Sequence, residues 1–157
     1  MTDVTTCVIS SDAAMRELGR RIGAAARGGE VLELAGDVGA GKTTFTKGLA
    51  LGMHILEPIQ SPTFTISRMY DTPHALRLAH YDFYRLNEAG IMSDELHETL
   101  HEPTTVTVVE WAGIVQGVLP KDHVEIKITA TAEMERRCEI VAHGERSRQL
   151  LSRADVC

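Results

Sequence analysis

The sequence predicts an α/β fold in a single domain, a β-sheet flanked by helices. A short apolar run, Glu30-Val31-Leu32-Glu33-Leu34-Ala35, leads into a glycine-rich stretch and then into Phe45, Leu49 and Met53 at helical spacing, so strand, loop and helix follow one another. A second run, Thr105-Val106-Thr107-Val108-Val109, has the character of a strand buried on both faces. With 157 residues, 43% of them apolar and 24% charged, the chain suits one domain around one core and does not have the composition of a disordered protein.

Residues 1–10 read as an extended segment in which Cys7, Val8 and Ile9 are apolar. Ser10 or Ser11 can cap the helix that follows, on which Met15, Leu18, Ile22 and Ala25 recur at helical spacing before Gly28-Gly29 ends it. Asp12 falls in the first turn, where the helix dipole alone favours a negative charge. After the strand–loop–helix unit, closed by Gly52 and then Pro58, residues 65–70 read as a strand, 71–74 as a turn and 75–84 as the second strand of a hairpin. A period of two puts Leu76, Leu78, His80, Asp82 and Tyr84 on one face. A polar pair continuing an apolar face marks a strand whose far end reaches a site.

Residues 88–100 form a helical region, with Ser93 as cap of its main part and Pro103 as its stop. His97 and His101 are four apart on it, but no third metal ligand is evident, so a structural or surface role is expected. The 105–109 strand ends at Glu110-Trp111, and 112–119 is a short segment of helical character before Pro120. Val124, Ile126 and Ile128 alternate with Glu125, Lys127 and Thr129, predicting a half-exposed antiparallel strand with 134–143 as its partner. The last dozen residues, rich in Arg and Ser, read as a frayed helix or tail, so the domain is placed at 1–144 and a C-terminal helix or tail at 145–157.

The formal net charge of -6 argues against strong, unaided binding of tRNA or DNA. Arg16, Arg20, Arg21 and Arg27 cluster, and a solvated helix face accounts for them. Cys7, Cys138 and Cys157 are far apart, form no C-x-x-C pair, and suggest neither a zinc site nor a disulfide framework. No signal peptide and no apolar run of membrane-spanning length is read, so a cytoplasmic protein that meets no membrane is expected.

Gly36-Asp37-Val38-Gly39-Ala40-Gly41-Lys42-Thr43, followed by Thr44, fits G-x-x-x-x-G-K-[ST], the phosphate-binding loop. Glycines let backbone N–H groups close around phosphate oxygens. Lys42 brings a point charge to the β- and γ-phosphates, Thr43 a hydroxyl for Mg²⁺, and the new helix the positive end of its dipole. The ion usually takes a second protein oxygen from an acid ending a neighbouring hydrophobic strand. Glu110 and Asp82 both qualify. Glu110 follows Val106, Val108 and Val109 directly, at the strand edge where open α/β sheets bind ligands, and is assigned to the metal, directly or through water. Asp82 is the candidate for a second metal contact or for orienting the attacking water. Alternatively, it forms a salt bridge to Arg85 or Arg77. Thr63, after Pro62, lies in a loop that could reach the γ-phosphate or could simply cap its own backbone. No Asn/Thr-Lys-x-Asp tetrapeptide and no D-x-x-G after the Val108-Val109 strand occur, which favours ATP over GTP. No Gln is obviously placed to orient water, so hydrolysis by the chain alone should be slow.

Taken in order, the loop with Thr44-Phe45, Ser61-Pro62-Thr63-Phe64, His80-Tyr81-Asp82-Phe83-Tyr84-Arg85-Leu86 and Glu110-Trp111 resemble the bacterial TsaE (YjeE) family over nearly the whole chain. The resemblance implies a P-loop NTPase-like α/β fold with a mixed β-sheet. It also implies an ATPase that works with TsaD and TsaB in making the threonylcarbamoyl modification of the adenosine beside the tRNA anticodon, docking on that pair without transferring the group itself. In family terms Lys42 and the loop hold the phosphates, and Thr43 and Glu110 serve Mg²⁺. Asp82 lies near the metal and γ-phosphate, Thr63 sits in a switch-like loop, and Ser11 and Asp12 lie near the base. Trp111 is a family mark with ordinary packing as its main role. Two departures stand out: Ala112-Gly113 replaces a polar or acidic residue after Trp111, and 88–104 matches only loosely, which bears on partner contacts. From other classes, a small-molecule kinase would need a lid with arginines, and none follows Glu110 until Arg136. A nucleotide-gated binding module without meaningful hydrolysis is the other alternative.

Overall fold

The computed structural model describes residues 3–37, 39–60, 62, 65–84, 86 and 90–156. Its elements run β1 (Asp3–Ile9), α1 (Asp12–Ala25), β2 (Val31–Ala35), α2 (Lys42–Gly52), β3 (Ser67–Asp71), β4 (Arg77–Asp82), α3 (Ile91–Leu100), β5 (Thr105–Glu110), a 3-10 turn (Ala112–Val115), β6 (Val124–Ala132), β7 (Glu135–Ala142) and α4 (Glu145–Ala154). All seven strands form one mixed sheet in the order β1-β7-β6-β2-β5-β4-β3. β2 runs parallel to both β5 and β6, and β4 parallel to β5. The β3–β4, β6–β7 and β1–β7 pairs are antiparallel. β6 is therefore antiparallel to its hairpin partner, as expected, but parallel to β2. Alternation along a strand reports which face is buried, and says nothing about the direction of the neighbour.

The parallel strands β2, β5 and β4 end on one edge, at Ala35, Glu110 and Asp82. One sheet face carries the larger core, which draws Leu18 and Ile22 from α1, Phe45 and Leu49 from α2, and Leu150 and Ala154 from α4. On the other face Tyr81, Phe83 and Val109 pack with Leu96 of α3 and with Ala112 and Val115.

Helix α2, which starts at the glycine loop, is seated unusually close to α1. A Cβ on Gly19 or Gly23 would stand 2.2 Å from the Phe45 carbonyl oxygen or 2.1 Å from that of Leu49. From the other side, one on Gly48 or Gly52 would stand 2.0 Å from the Arg16 carbonyl oxygen or 2.1 Å from that of Arg20. Glycine at four-residue spacing on both helices makes this approach possible, and backbone cannot move aside as a flexible side chain can. Gly48→Ala is expected to destabilise by about 2–3 kcal/mol, the cost of overpacking a rigid contact, and to lower the melting temperature by roughly 5–10 °C. A melt unchanged within about a degree would contradict the close approach.

Three expectations change. The C-terminal segment is not frayed: Asp122, 24 residues upstream, accepts hydrogen bonds from the Arg146 and Ser147 N–H groups and the Ser147 hydroxyl at 2.9, 3.1 and 2.6 Å. Leu150 and Ala154 are buried behind it. A cap so distant in sequence leaves no local signal. Helix α3 begins at Ile91 after Gly90 rather than at a Ser93 cap. Cys7 is disulfide-bonded, although the cysteine spacing predicted none, while Cys138 is a buried free thiol.

Candidate active site

The loop leaves β2 at Gly36, where two features demand glycine: a φ of 151°, and the Ile128 carbonyl oxygen, which would lie 2.6 Å from any Cβ there. Ala40 N–H donates to the Asp37 carbonyl at 3.0 Å and closes the turn. Gly41, at φ 115°, is the N-cap of α2 and provides no side-chain cap. The first-turn N–H groups of α2 therefore lack a capping acceptor and, with the helix dipole, form an anion site. Lys42 is buried, and its Nζ donates to the Gly36 carbonyl at 2.7 Å, so the side chain folds back over the loop. Thr43 and Thr44 follow in the first turn, both partly exposed.

The acids come from the parallel register of β4 and β5, which pairs Asp82 with Glu110. Both are buried, at 4% and 3% exposure. Glu110 Oε1 lies 4.0 Å from Lys42 Nζ. Its Oε2 lies 2.5 Å from His80 Nε2. Asp82 accepts from the Tyr84 N–H at 2.9 Å, and Phe83 N–H donates to the Glu110 carbonyl at 3.1 Å, so the two strand ends are laced together. Trp111 leaves β5 in the left-handed region, at φ 55°, and its ring centroid stands 4.0 Å from Lys42 Nζ and 4.8 Å from the Tyr84 ring. Burial lowers the Lys42 pKa, opposed by the negative charges of Glu110, Asp82 and Asp37.

Gly36, Asp37, Gly39, Ala40, Gly41, Lys42, Thr43 and Thr44 thus form one continuous loop and helix start, with Lys42 facing Glu110 across it. Val38, Thr63 and Arg85 lie outside the described residues. Asp12 is on the other flank of the loop. There a hollow of about 220 Å³ is lined by Ser11, Asp12, Thr44, Met134 and Arg136, while a cleft of about 710 Å³ opens on the side of Lys42, Trp111, Glu33 and Lys127. Ser11 Oγ accepts from Ala14 N–H at 3.0 Å as the α1 cap, and Asp12 and Glu133 are the acids that line that hollow.

Sequence reasoning gave Trp111 only a packing role and assigned none to Arg136 or His80. Trp111 does more than pack, since its ring covers the loop lysine. Arg136, read only as a remote arginine, donates to the Ala40 carbonyl at 3.1 Å and to carbonyls of its own hairpin, so it ties β7 to the loop. No sequence signal marks that contact. His80 had a signal, its shared face with Asp82.

The donor set fits a magnesium ion held partly by phosphate. Thr43, Glu110 and Asp82 offer the hard oxygens that the ion prefers. Among the described residues no group of three or more His, Cys, Asp or Glu could hold a metal, so an all-protein cage is not built there. Among them, too, no helix is long and apolar enough to cross a membrane.

The family model described as "Threonylcarbamoyl adenosine biosynthesis protein TsaE" matches residues 9–138. The chain belongs to the TsaE family. Its TsaE relatives are named tRNA threonylcarbamoyladenosine biosynthesis proteins. The one from Bacillus subtilis is 42% identical over 135 residues, 83% of this chain and 82% of that protein. The TsaE of Streptomyces coelicolor is 36% identical, covering 84% and 93%, and that of Treponema pallidum 37% identical, covering 85% and 98%. Among solved structures, the crystal structure of Bacillus subtilis YdiB superposes with a TM-score of 0.82 at 32% identity, over 99% of this chain and 96% of that one. The fold shared with that structure spans the chain from β1 to α4.

Proposed function

We propose that this TsaE-family chain is a magnesium-dependent ATPase of tRNA threonylcarbamoyladenosine formation, working in the cytoplasm with the TsaB and TsaD proteins. One observation supports it most: an uncapped α2 N-terminus and a buried lysine meet a strand-end carboxylate at 4.0 Å. In this reading the loop N–H groups and Lys42 bind the β- and γ-phosphates. The hydroxyl of Thr43 and the carboxylate of Glu110 hold Mg²⁺, which when bound neutralises charge on the γ-phosphate. Asp82 orients the water that attacks the γ-phosphorus, and ADP and inorganic phosphate leave. Asp12 takes the adenine side of the loop, beside Thr44.

Of the described arginines beside the loop, Arg136 is engaged with carbonyl oxygens, and Arg137, which lines the cleft on the Lys42 side, is paired with Glu139. The chain alone should therefore turn over slowly, and a docked partner should complete the site. The acidic net charge, -6, fits a subunit that meets tRNA only through that complex. ATP hydrolysis measured alone and with TsaB and TsaD tests the reading. Slow release of phosphate that rises at least about tenfold with the pair is expected, on the scale of a completed transition-state site. No ATP binding, or a rate indifferent to both proteins, would overturn it.

A further inference from the structure

We propose that His80 is a positioning residue that holds Glu110 in the orientation needed to meet the metal; the inference rests on the ATPase reading above. His80 lies on β4 between Leu78 and Asp82 on the same face, and it is completely buried. An aliphatic side chain would suit such a place better, because burying an imidazole leaves two ring nitrogens to satisfy. Among the described residues only one of them is satisfied: Nδ1 has no hydrogen-bond partner there, and Nε2 meets Glu110 Oε2 at 2.5 Å. What histidine supplies that leucine could not is therefore a single N–H directed at that carboxylate. The contact also fixes the tautomer. Nε2 must carry a hydrogen, since its lone pair facing a carboxylate oxygen would be repelled.

The two oxygens of Glu110 are thereby divided. Oε2 is tied to His80, while Oε1 is presented on the Lys42 side, 4.0 Å from Nζ. The backbone of Glu110 is pinned by the Phe83 N–H, but its side chain is held only by these two partners among the described interactions. Lys42 is the partner that nucleotide phosphates recruit. His80 is the one that remains, so it keeps Oε1 facing the loop while the phosphates and the ion arrive. Residues that orient a metal ligand in this way commonly change metal affinity by about 10–100-fold when replaced.

The test uses the full chain and its single tryptophan, Trp111, whose ring stands 4.0 Å from Lys42 Nζ and reports nucleotide entry by fluorescence. For His80→Phe, ATP affinity without magnesium should stay essentially unchanged. The Mg²⁺ concentration needed for half-maximal response at saturating ATP should rise about 10–100-fold. His80→Gln, whose amide can donate toward Glu110, should recover most of that loss. A wild-type magnesium response in His80→Phe overturns the proposal. So does an equal loss of magnesium response, magnesium-free ATP affinity and melting temperature in both variants, the mark of a purely structural residue. Independently of any variant, the imidazole nitrogen NMR spectrum of the wild-type protein should show His80 as the Nε2–H tautomer, and the Nδ1–H form overturns the proposal. Failure of the ATPase reading shows up elsewhere, as wild-type protein that binds no nucleotide, and it would carry the inference down with it.

Discussion

Lys42→Ala is expected to abolish measurable ATP binding while leaving the protein folded. The side chain is buried against the loop, its ammonium set between the Gly36 carbonyl, the Trp111 ring and Glu110. Burial has already removed much of its water, which also pushes its pKa down, so it meets an incoming polyphosphate with little further desolvation. Two charge-assisted contacts to phosphate, at about 1.5–3 kcal/mol each, amount to a loss of roughly 10²–10⁴-fold in affinity. The fold should tolerate the change because the Lys42–Glu110 separation of 4.0 Å is loose and Glu110 keeps its bond to His80. Lys42→Met sharpens the test. It retains an apolar stem under Trp111 and removes only the charge, so binding should fall as far as in the alanine variant while the melting temperature stays closer to wild type. Calorimetric titration with ATP, run beside a thermal melt, checks both. Wild-type affinity in either variant would count against the loop as the phosphate cradle.

Much of this site was legible because the chemistry is written locally. The glycine loop, its lysine and Thr43 are contiguous, and the flanking strand and helix announce themselves by apolar spacing. Glu110 was legible for a different reason: a buried-type strand of Val106, Val108 and Val109 must emerge somewhere, and the acid stands at its end. Asp82 and His80 were marked by parity on one strand, but parity could not say which neighbouring strand they would lie beside. That required the parallel register with β5, a long-range fact. The rest was illegible because it is set by partners distant in sequence. Asp122 caps α4, Arg136 braces Ala40, and paired glycines on α1 and α2 bring two helix backbones together. Each of these residues has an ordinary sequence neighbourhood, and its role exists only once the sheet order has been decided.

Glu110→Gln should produce a folded protein that binds ATP and scarcely hydrolyses it. Glutamine keeps the volume, and its amide oxygen can still accept the hydrogen on His80 Nε2, so packing at the end of β5 survives. The lost element is the negative charge that, in the proposed reading, draws a magnesium ion toward the loop. Removing one preorganised electrostatic partner of a charged transition state typically costs about 10²–10³ in turnover. Glu110→Ala should lose turnover to the same extent and stability as well. A buried His80 N–H is then left without an acceptor, a cost of about 1–3 kcal/mol that the glutamine variant avoids. The difference between the two variants thus separates what the charge does for the reaction from what the acceptor does for the fold. Asp82→Ala completes the comparison. Its carboxylate accepts the Tyr84 N–H at 2.9 Å, so some loss of stability is expected, but ATP binding should persist while turnover falls. If phosphate release by Glu110→Gln matched wild type, the ion could not be held from β5. If Asp82→Ala failed to fold, that acid would belong to the strand-end lacing and not to the reaction.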